Sequence, residues 1–242
     1  MDPDASRLEP LIRKLERLSP IGDDAREALA GLPCRLEEVS PGRVLVREGE
    51  LPTECCLLLS GFVCRHKSTS GGARQIVSFH FPGDILDLQH LKLPRADHNV
   101  EATTRAEVAW ISKDRINRIL RSHPVLADAL WRDALIDASI FREWVLNVGR
   151  RDARSRVAHM LCEFAARREA AGLGSPERFE LPMTQEQIAD ATGMTIVHVN
   201  RTLKALTDEG AISRDGREVR ISDWARMQRI ADFDPAYLHN AA

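Results

Sequence analysis

The chain has 242 residues, 43% of them hydrophobic and 29% charged, and a formal net charge of −2. That composition fits a globular chain of one large domain or, as expected here, two, and it excludes a uniformly basic nucleic-acid binder, so that nucleic acid would have to be met by a local patch. Five cysteines, Cys34, Cys55, Cys56, Cys64 and Cys162, show no CxxC spacing, the opening residues MDPDASRLEP are neither basic nor apolar enough for export, and no apolar run approaches the roughly 20 residues of a membrane helix. Free thiols and a cytoplasmic protein without membrane contact are expected.

Leu8, Leu11, Ile12, Leu15 and Leu18 recur at helical spacing up to a break at Ser19-Pro20, and a second short helix ends near Gly31. From about residue 34 to 112, short β-like runs punctuated by Pro-Gly, Ser-Gly and Gly-Gly predict a barrel or sandwich. Residues 113–148 turn helical, and Pro124 suits the first turn of a long helix reaching Asn147 or Val148. Along it Leu126, Leu130, Ala134, Phe141, Trp144 and Val148 recur in steps of three and four, interrupted by Asp137, and predict a dimerisation seam. Leu135, Ile136 and Ile140 offer a second stripe for packing on the chain's own barrel. Gly149 is read as the glycine that ends this helix and as a hinge. Arg150, Arg151, Arg154 and Arg156 cluster beside it and can face phosphate, the barrel or solvent. Further on, "ELPMT" reads as a short strand entering a helix cap.

The stretch "MTQEQIADATGMTIVHVNRTLKALTDEGAI" carries the strongest pattern. Thr184 followed three residues later by Gln187 forms a capping box ahead of Ile188. Ile188, Ala189, Gly193, Met194 and Val199 then have the spacing of a helix-turn-helix: a small residue where two helices touch, a glycine in the turn, and apolar residues holding the second helix across the first. In that second helix Ile196, Thr202, Leu203 and Leu206 fall on the side of Val199, while Val197, Arg201 and Lys204 fall opposite. The following "GAISRDGREVRIS" alternates like a hairpin centred on Asp215-Gly216, a pair suited to a type I′ turn, with Ile212, Val219 and Ile221 as its buried face.

A helix so built fits the major groove of double-stranded DNA. Arg201 is the candidate for a bidentate contact to guanine and Val197 for a thymine methyl. His198 and Asn200 can donate to bases or phosphates, or alternatively bond within the domain. Lys204, Arg214 and Arg217 are placed for phosphates, and Thr184 and Thr195, at the starts of the two helices, complete the DNA-contacting set.

The segments "PGRVLVREGE", "LLLSGFVCRHK", "FPGDILDLQ" and above all "TGMTIVHVNRTLKAL" make the chain resemble the Crp/Fnr superfamily of bacterial transcription regulators over nearly its whole length. The resemblance implies an α+β chain. Residues 1–122 would form N-terminal helices and a double-stranded β-helix, a cyclic-nucleotide-binding-like β-roll. Residues 123–149 would form the dimerisation helix and hinge, and residues 150–242 a winged helix-turn-helix. It further implies a homodimer acting on a palindromic site, with RNA polymerase as an additional partner.

The departures from the family pattern bear on cofactors. Cyclic-nucleotide members carry Gly-Glu after the "PGD" stretch and a later Arg-Ser pair for the cyclic phosphate. Here those positions read Asp87-Leu88 and Ala96-Asp97, with Arg95 displaced by one. A cyclic phosphate would lose its cation and meet a carboxylate, so cyclic AMP is not expected. No cysteine precedes Cys34, so neither is an iron–sulfur cluster of the oxygen-sensing type. His80 or His90 stands where haem-binding members use a histidine, but a lone histidine is more often structural, and haem is not expected. The effector is unknown or absent. Where many relatives place a glutamate four residues before the recognition arginine, Val197 stands, so the half-site should differ at the facing base pair. An alternative is a ligand-responsive interaction module of the same fold without direct DNA regulation. An enzyme is not expected, because the eight histidines are scattered and form no metal set, and no P-loop or serine or cysteine nucleophile motif occurs.

Overall fold

The computed structural model describes residues 7–239, so the reading of the N-terminus as lacking an export signal lies outside the described residues. The chain divides into two units, the first running to His66 and joined by Phe79–Ala138, the second made of Lys67–Ser78 and Ser139–His239.

In the first unit α1 (Glu9–Leu18) and α2 (Asp23–Ala30) lie where the apolar spacing and the Ser19-Pro20 break place them. Seven strands come next along the chain, the end of β4 and most of β5 falling within the Lys67–Ser78 segment of the second unit: β1 (Arg35–Val39), β2 (Val44–Val46), β3 (Glu54–Ser60), β4 (Val63–Ser68), β5 (Arg74–His80), β6 (Asn99–Ala102) and β7 (Ala106–Ser112). They form one sheet in the order β1-β7-β3 and another in the order β2-β6-β4-β5. Successive side chains of a strand point to opposite faces, and β3 shows what each face meets. Cys55 and Leu57 enter a core shared with α1, α2, α3 (Lys113–Ser122) and the start of α4 (Pro124–Arg150). Cys56 and Leu58 enter the core between the sheets, with Val46, Val63 and Val100. Strand β7 divides in the same way, Ala109 and Ile111 to one side, Ala106 and Val108 to the other. The adjacent cysteines are therefore two halves of a both-faces-buried strand, and burial pushes both thiols up, away from the reactive thiolate.

Helix α4 carries two heptad faces offset by one residue. Leu126, Leu130, Asp133, Asp137, Ile140, Trp144 and Asn147 make the inner one; its leucines, isoleucine, tryptophan and asparagine are buried. Its two acids are neutralised, Asp133 by Lys14 Nζ at 2.6 Å and Asp137 by Arg65 Nη1 at 2.8 Å. The outer face is Ala127, Trp131, Ala134, Ala138, Phe141, Val145 and Val148, with Trp131 67%, Phe141 50% and Val145 56% exposed. The expected seam therefore mixed the two. Leu126, Leu130 and Trp144 belong to the chain's own core, whereas Ala134, Phe141 and Val148 stay on the open side. Sequence spacing could not separate them because one residue shifts a face by only about 100°. Gly149 does not end the helix either: α4 continues through it to Arg150.

The second unit is built on α5 (Ala153–Ala170), buried without a break from Val157 to Ala165 and capped by Asp152, whose side chain accepts from Ser155 N. Burial on every side makes it the central element of this unit. Around it stand β8 (Arg178–Glu180), α6 (Gln185–Thr192), α7 (Ile196–Asp208), β9 (Ser213–Asp215), β10 (Glu218–Arg220) and α8 (Trp224–Ala231). The strand expected at "ELPMT" forms slightly earlier, at Arg178–Glu180, because there it pairs with β10, Phe179 opposite Val219.

Polar groups on α5 are bonded inside the unit. Glu163 accepts from Trp144 Nε1 at 2.8 Å and from Tyr237 Oη at 2.7 Å, and its burial raises its pKa. His159 contacts Tyr237 Oη at 3.1 Å, and burial lowers its pKa to about 4. Three of the four clustered arginines are likewise engaged. Arg151 reaches Glu143 at 2.6 Å and Asp232, Arg154 reaches Glu209 with two nitrogens, and Arg156 donates to the carbonyls of Thr192 and Arg151. They tie the helix junction together rather than wait for phosphate.

Candidate nucleic-acid interface

The geometry of α6 and α7 follows from their caps. Thr184 Oγ1 accepts from Gln187 N at 3.1 Å while Gln187 Oε1 accepts from Thr184 N at 2.9 Å, the reciprocal box expected from the sequence. Gly193 ends α6 in the left-handed region, φ 64°, where a side chain is strained, and Met194 N donates back to Ala189 O at 3.0 Å. Thr195 then caps α7, its Oγ1 accepting from His198 N at 3.3 Å. Ile188, Ala189, Val199, Leu203 and Leu206 are buried and fix the second helix across the first.

The surface of α7 carries Ile196, Val197, His198, Asn200, Arg201 and Lys204, with Ala205, Thr207 and Asp208 exposed towards its C-terminal end. Val197 is 68% exposed and Ile196 44%, so Ile196, which the helical period placed on the core side, faces out. It sits in the first turn of the helix. His198 and Asn200 are exposed, and among the described residues their side chains make no hydrogen bond back into the domain. Arg201 is exposed at mid-helix, and Lys204 Nζ rests on Asp208 one turn on.

The wing is the three-stranded sheet β8-β10-β9. Val219 pairs with Arg214, and Ile212, Val219 and Ile221 are buried as expected. The hairpin pairs Asp215 with Glu218, so its loop is Gly216-Arg217, one residue later than read from the sequence. Only Gly216 takes a positive φ, 58°, which suits the first loop position of a type II′ turn rather than the I′ pair. The shift puts Arg217 at the tip beside Arg214 on its flank, both exposed, while Arg178 and Arg220 are held by Glu218.

Residues of the β-roll that bear on an effector are bonded within the first unit. Asp87 is wholly buried, with Oδ1 accepting from Cys56 N at 2.9 Å and His90 Nδ1 at 3.4 Å from Oδ2. Asp84 receives Lys14 Nζ at 2.8 Å, Phe81 N at 3.1 Å and His80 Nδ1 at 3.1 Å. Arg95 donates to Gly49 O, and Arg65 Nη2 to Leu86 O at 3.0 Å. These long-range partners, Lys14, Arg65, Asp84 and Asp137, were not legible in the sequence. Among the described residues no group of three or more His, Cys, Asp or Glu is placed to hold a metal ion. No helix among them is long and apolar enough to cross a membrane.

Known proteins share this arrangement. Residues 36–123 match the model of a cyclic nucleotide-binding domain, and residues 155–230 that of a Crp-like helix-turn-helix domain. The nitrogen fixation regulation protein FixK of Bradyrhizobium diazoefficiens is 30% identical over 192 residues, 79% of this chain and 80% of its own length. The transcriptional activator protein FnrL of Cereibacter sphaeroides is 28% identical over 197 residues, 80% of this chain and 79% of its own. The structure of FixK2 from Bradyrhizobium japonicum superimposes with a TM-score of 0.74 at 24% identity, over 82% of this chain and 98% of that one. With both domain types in the family's order and relatives that are transcription regulators rather than enzymes, the chain belongs to the Crp/Fnr superfamily of DNA-binding transcription regulators.

Proposed function

We propose that this regulator works as a homodimer whose two α7 helices read a palindromic site, with half-sites about one helical turn apart. The observation that carries the DNA reading is the surface of α7: Val197, His198, Asn200 and Arg201 stand exposed on a helix whose opposite side is buried. Arg201 is assigned to guanine, His198 and Asn200 to bases or phosphates, Val197 to a thymine methyl, and Lys204, Arg214 and Arg217 to phosphates; the capping residues Thr184 and Thr195 lie at the helix starts nearest the backbone. Only a local patch is basic, in keeping with the net charge of −2.

The dimer is assigned to the outer face of α4, from Ala127 through Trp131, Ala134, Ala138, Phe141 and Val145 to Val148. An unbroken apolar a/d stripe with large exposed side chains is what a two-stranded coil buries. For the β-roll we infer that cyclic AMP is not the ligand. The cation needed by its phosphate is missing from the aligned positions, Arg95 is turned to Gly49 O, and the buried carboxylate of Asp87 is committed to the backbone of β3. No haem or iron–sulfur cluster is assigned, and the effector is another molecule or none. A signal from the β-roll would travel along α4, which is continuous through Gly149. The setting is the cytoplasm, with RNA polymerase as the further partner.

The test is selection of sites from random duplex DNA by the purified chain without added ligand, followed by titration at two salt concentrations. A recovered two-fold symmetric site, bound less tightly at higher salt, is the expected result. Enrichment of a single unpaired half-site would overturn the palindrome, and no enrichment by folded protein would favour an interaction module.

A further inference from the structure

The first turn of α7 exposes two apolar β-branched side chains in succession, Ile196 at 44% and Val197 at 68%. Exposed large hydrophobic side chains elsewhere among the described residues of the second unit lie on α4, Phe141 and Val145 on the face that a second copy covers in the reading above and Leu146 next to it; this pair lies on the helix that the same reading places against base edges. Two such side chains in water at a polar interface are a cost unless the partner offers apolar groups there. The major groove offers one kind, the 5-methyl group of a pyrimidine.

In a helix the β-branched side chains of valine and isoleucine hold one χ1 rotamer, so the pair is stiff before contact. Neither carries a hydrogen-bonding atom. The only carboxylate on α7 is Asp208 in its last turn, paired with Lys204, so no carboxylate stands beside this pair to accept from the amino group of cytosine. The two aliphatic side chains are blind to what distinguishes thymine from cytosine at C4 and meet only the methyl group at C5.

We propose that Ile196 and Val197 together read the 5-methyl groups of two neighbouring pyrimidines in each half-site, and that 5-methylcytosine therefore substitutes for thymine there. The inference rests on the DNA-binding reading and extends it: cytosine methylation at those positions becomes a signal to which the regulator responds. In order of affinity, thymine and 5-methylcytosine come first, uracil and unmethylated cytosine second. Burying one methyl group changes affinity about fourfold, and two together about tenfold or more.

The experiment uses the full chain and the duplex it selects. Each pyrimidine of the half-site is replaced symmetrically in both arms, thymine by uracil, and thymine by cytosine with or without its 5-methyl group, and Kd is measured by fluorescence anisotropy. The expected result is a loss of about fourfold for uracil at two neighbouring positions, with cytosine at those positions restored by methylation. Ile196→Ala and Val197→Ala should each abolish the methyl effect at one position while leaving the preference for guanine opposite Arg201. Equal binding of thymine and uracil at every half-site position would overturn the proposal while leaving DNA binding intact. So would a methyl effect that survives in the double alanine variant. Failure to bind any duplex would overturn the DNA reading and this one with it.

Discussion

At the scale of single residues, the interface depends on a few groups whose roles separate by chemistry. Arg201 is expected to discriminate one base pair, so Arg201→Ala should weaken the selected site by about 1–3 kcal/mol and relax one position in a repeated selection. Lys204→Ala, which removes the phosphate contact proposed for this lysine, should weaken all duplexes alike and reduce the salt dependence instead. Two residues that touch no base hold these in place. Thr184→Ala removes a capping bond and should cost about 1 kcal/mol of stability. Gly193→Ala forces an alanine into the left-handed region at φ 64° and should cost about 1–2 kcal/mol, both read from urea unfolding midpoints. The threonine, Gln187 and the glycine were all legible in the sequence, because capping and turn chemistry act over three to five residues. Ile196 was not, since the helical period put it on the core side and its exposure of 44% is set by tertiary packing.

At the scale of elements, α4 carries the separable functions. Phe141→Glu and Val145→Glu place a charge on the open face, and each is expected to shift the chain to monomer by sedimentation equilibrium while leaving the monomer's helical circular dichroism unchanged. Leu126→Ala acts on the other face: it opens a cavity in the first unit's core and should cost about 2–5 kcal/mol of stability whatever the association state. If Phe141→Glu left a stable dimer, the outer face would not be the seam. The interruption at Asp137, which looks like a flaw in an apolar stripe, is an inner-face ion pair with Arg65, whose partner lies 72 positions away in the chain. Separations of 70 and 119 positions likewise hid Lys14 with Asp84 and Asp133.

At the scale of the whole molecule, pH reports how the buried histidines are held. Burial lowers both His98 and His159 from 6.5 to about 4. The unfolded chain therefore takes up protons there first, and stability contributed by the neutral rings is present above pH 6.5 and lost as pH falls towards 4. Glu163, raised by burial from 4.5, works in the opposite sense, since its protonated form is favoured in the fold. Urea midpoints measured between pH 7.5 and 4.5 should fall on acidification. His98→Asn and His159→Gln should each flatten the fall, and Glu163→Gln should steepen it. A midpoint that rose on acidification would show that these two rings are not buried neutral.

Whereas the β-roll was implied by the family resemblance, the sequence by itself determined what is local or periodic: the order of helices, short strands and winged helix-turn-helix, the capping box, the turn glycine, and an arginine on the open side of α7. Each of these is encoded by residues within one or two turns, or by a repeating apolar pattern that any packing must honour. Tertiary structure alone decided which of two adjacent heptad faces of α4 is core, that the hairpin turns at Gly216-Arg217, and that Arg151, Arg154 and Arg156 are bonded inward. It also left Ile196 beside Val197 in the open. Burial and ion pairing depend on groups brought together from distant segments, and a helical period that advances about 100° per residue specifies a stripe without saying what will cover it.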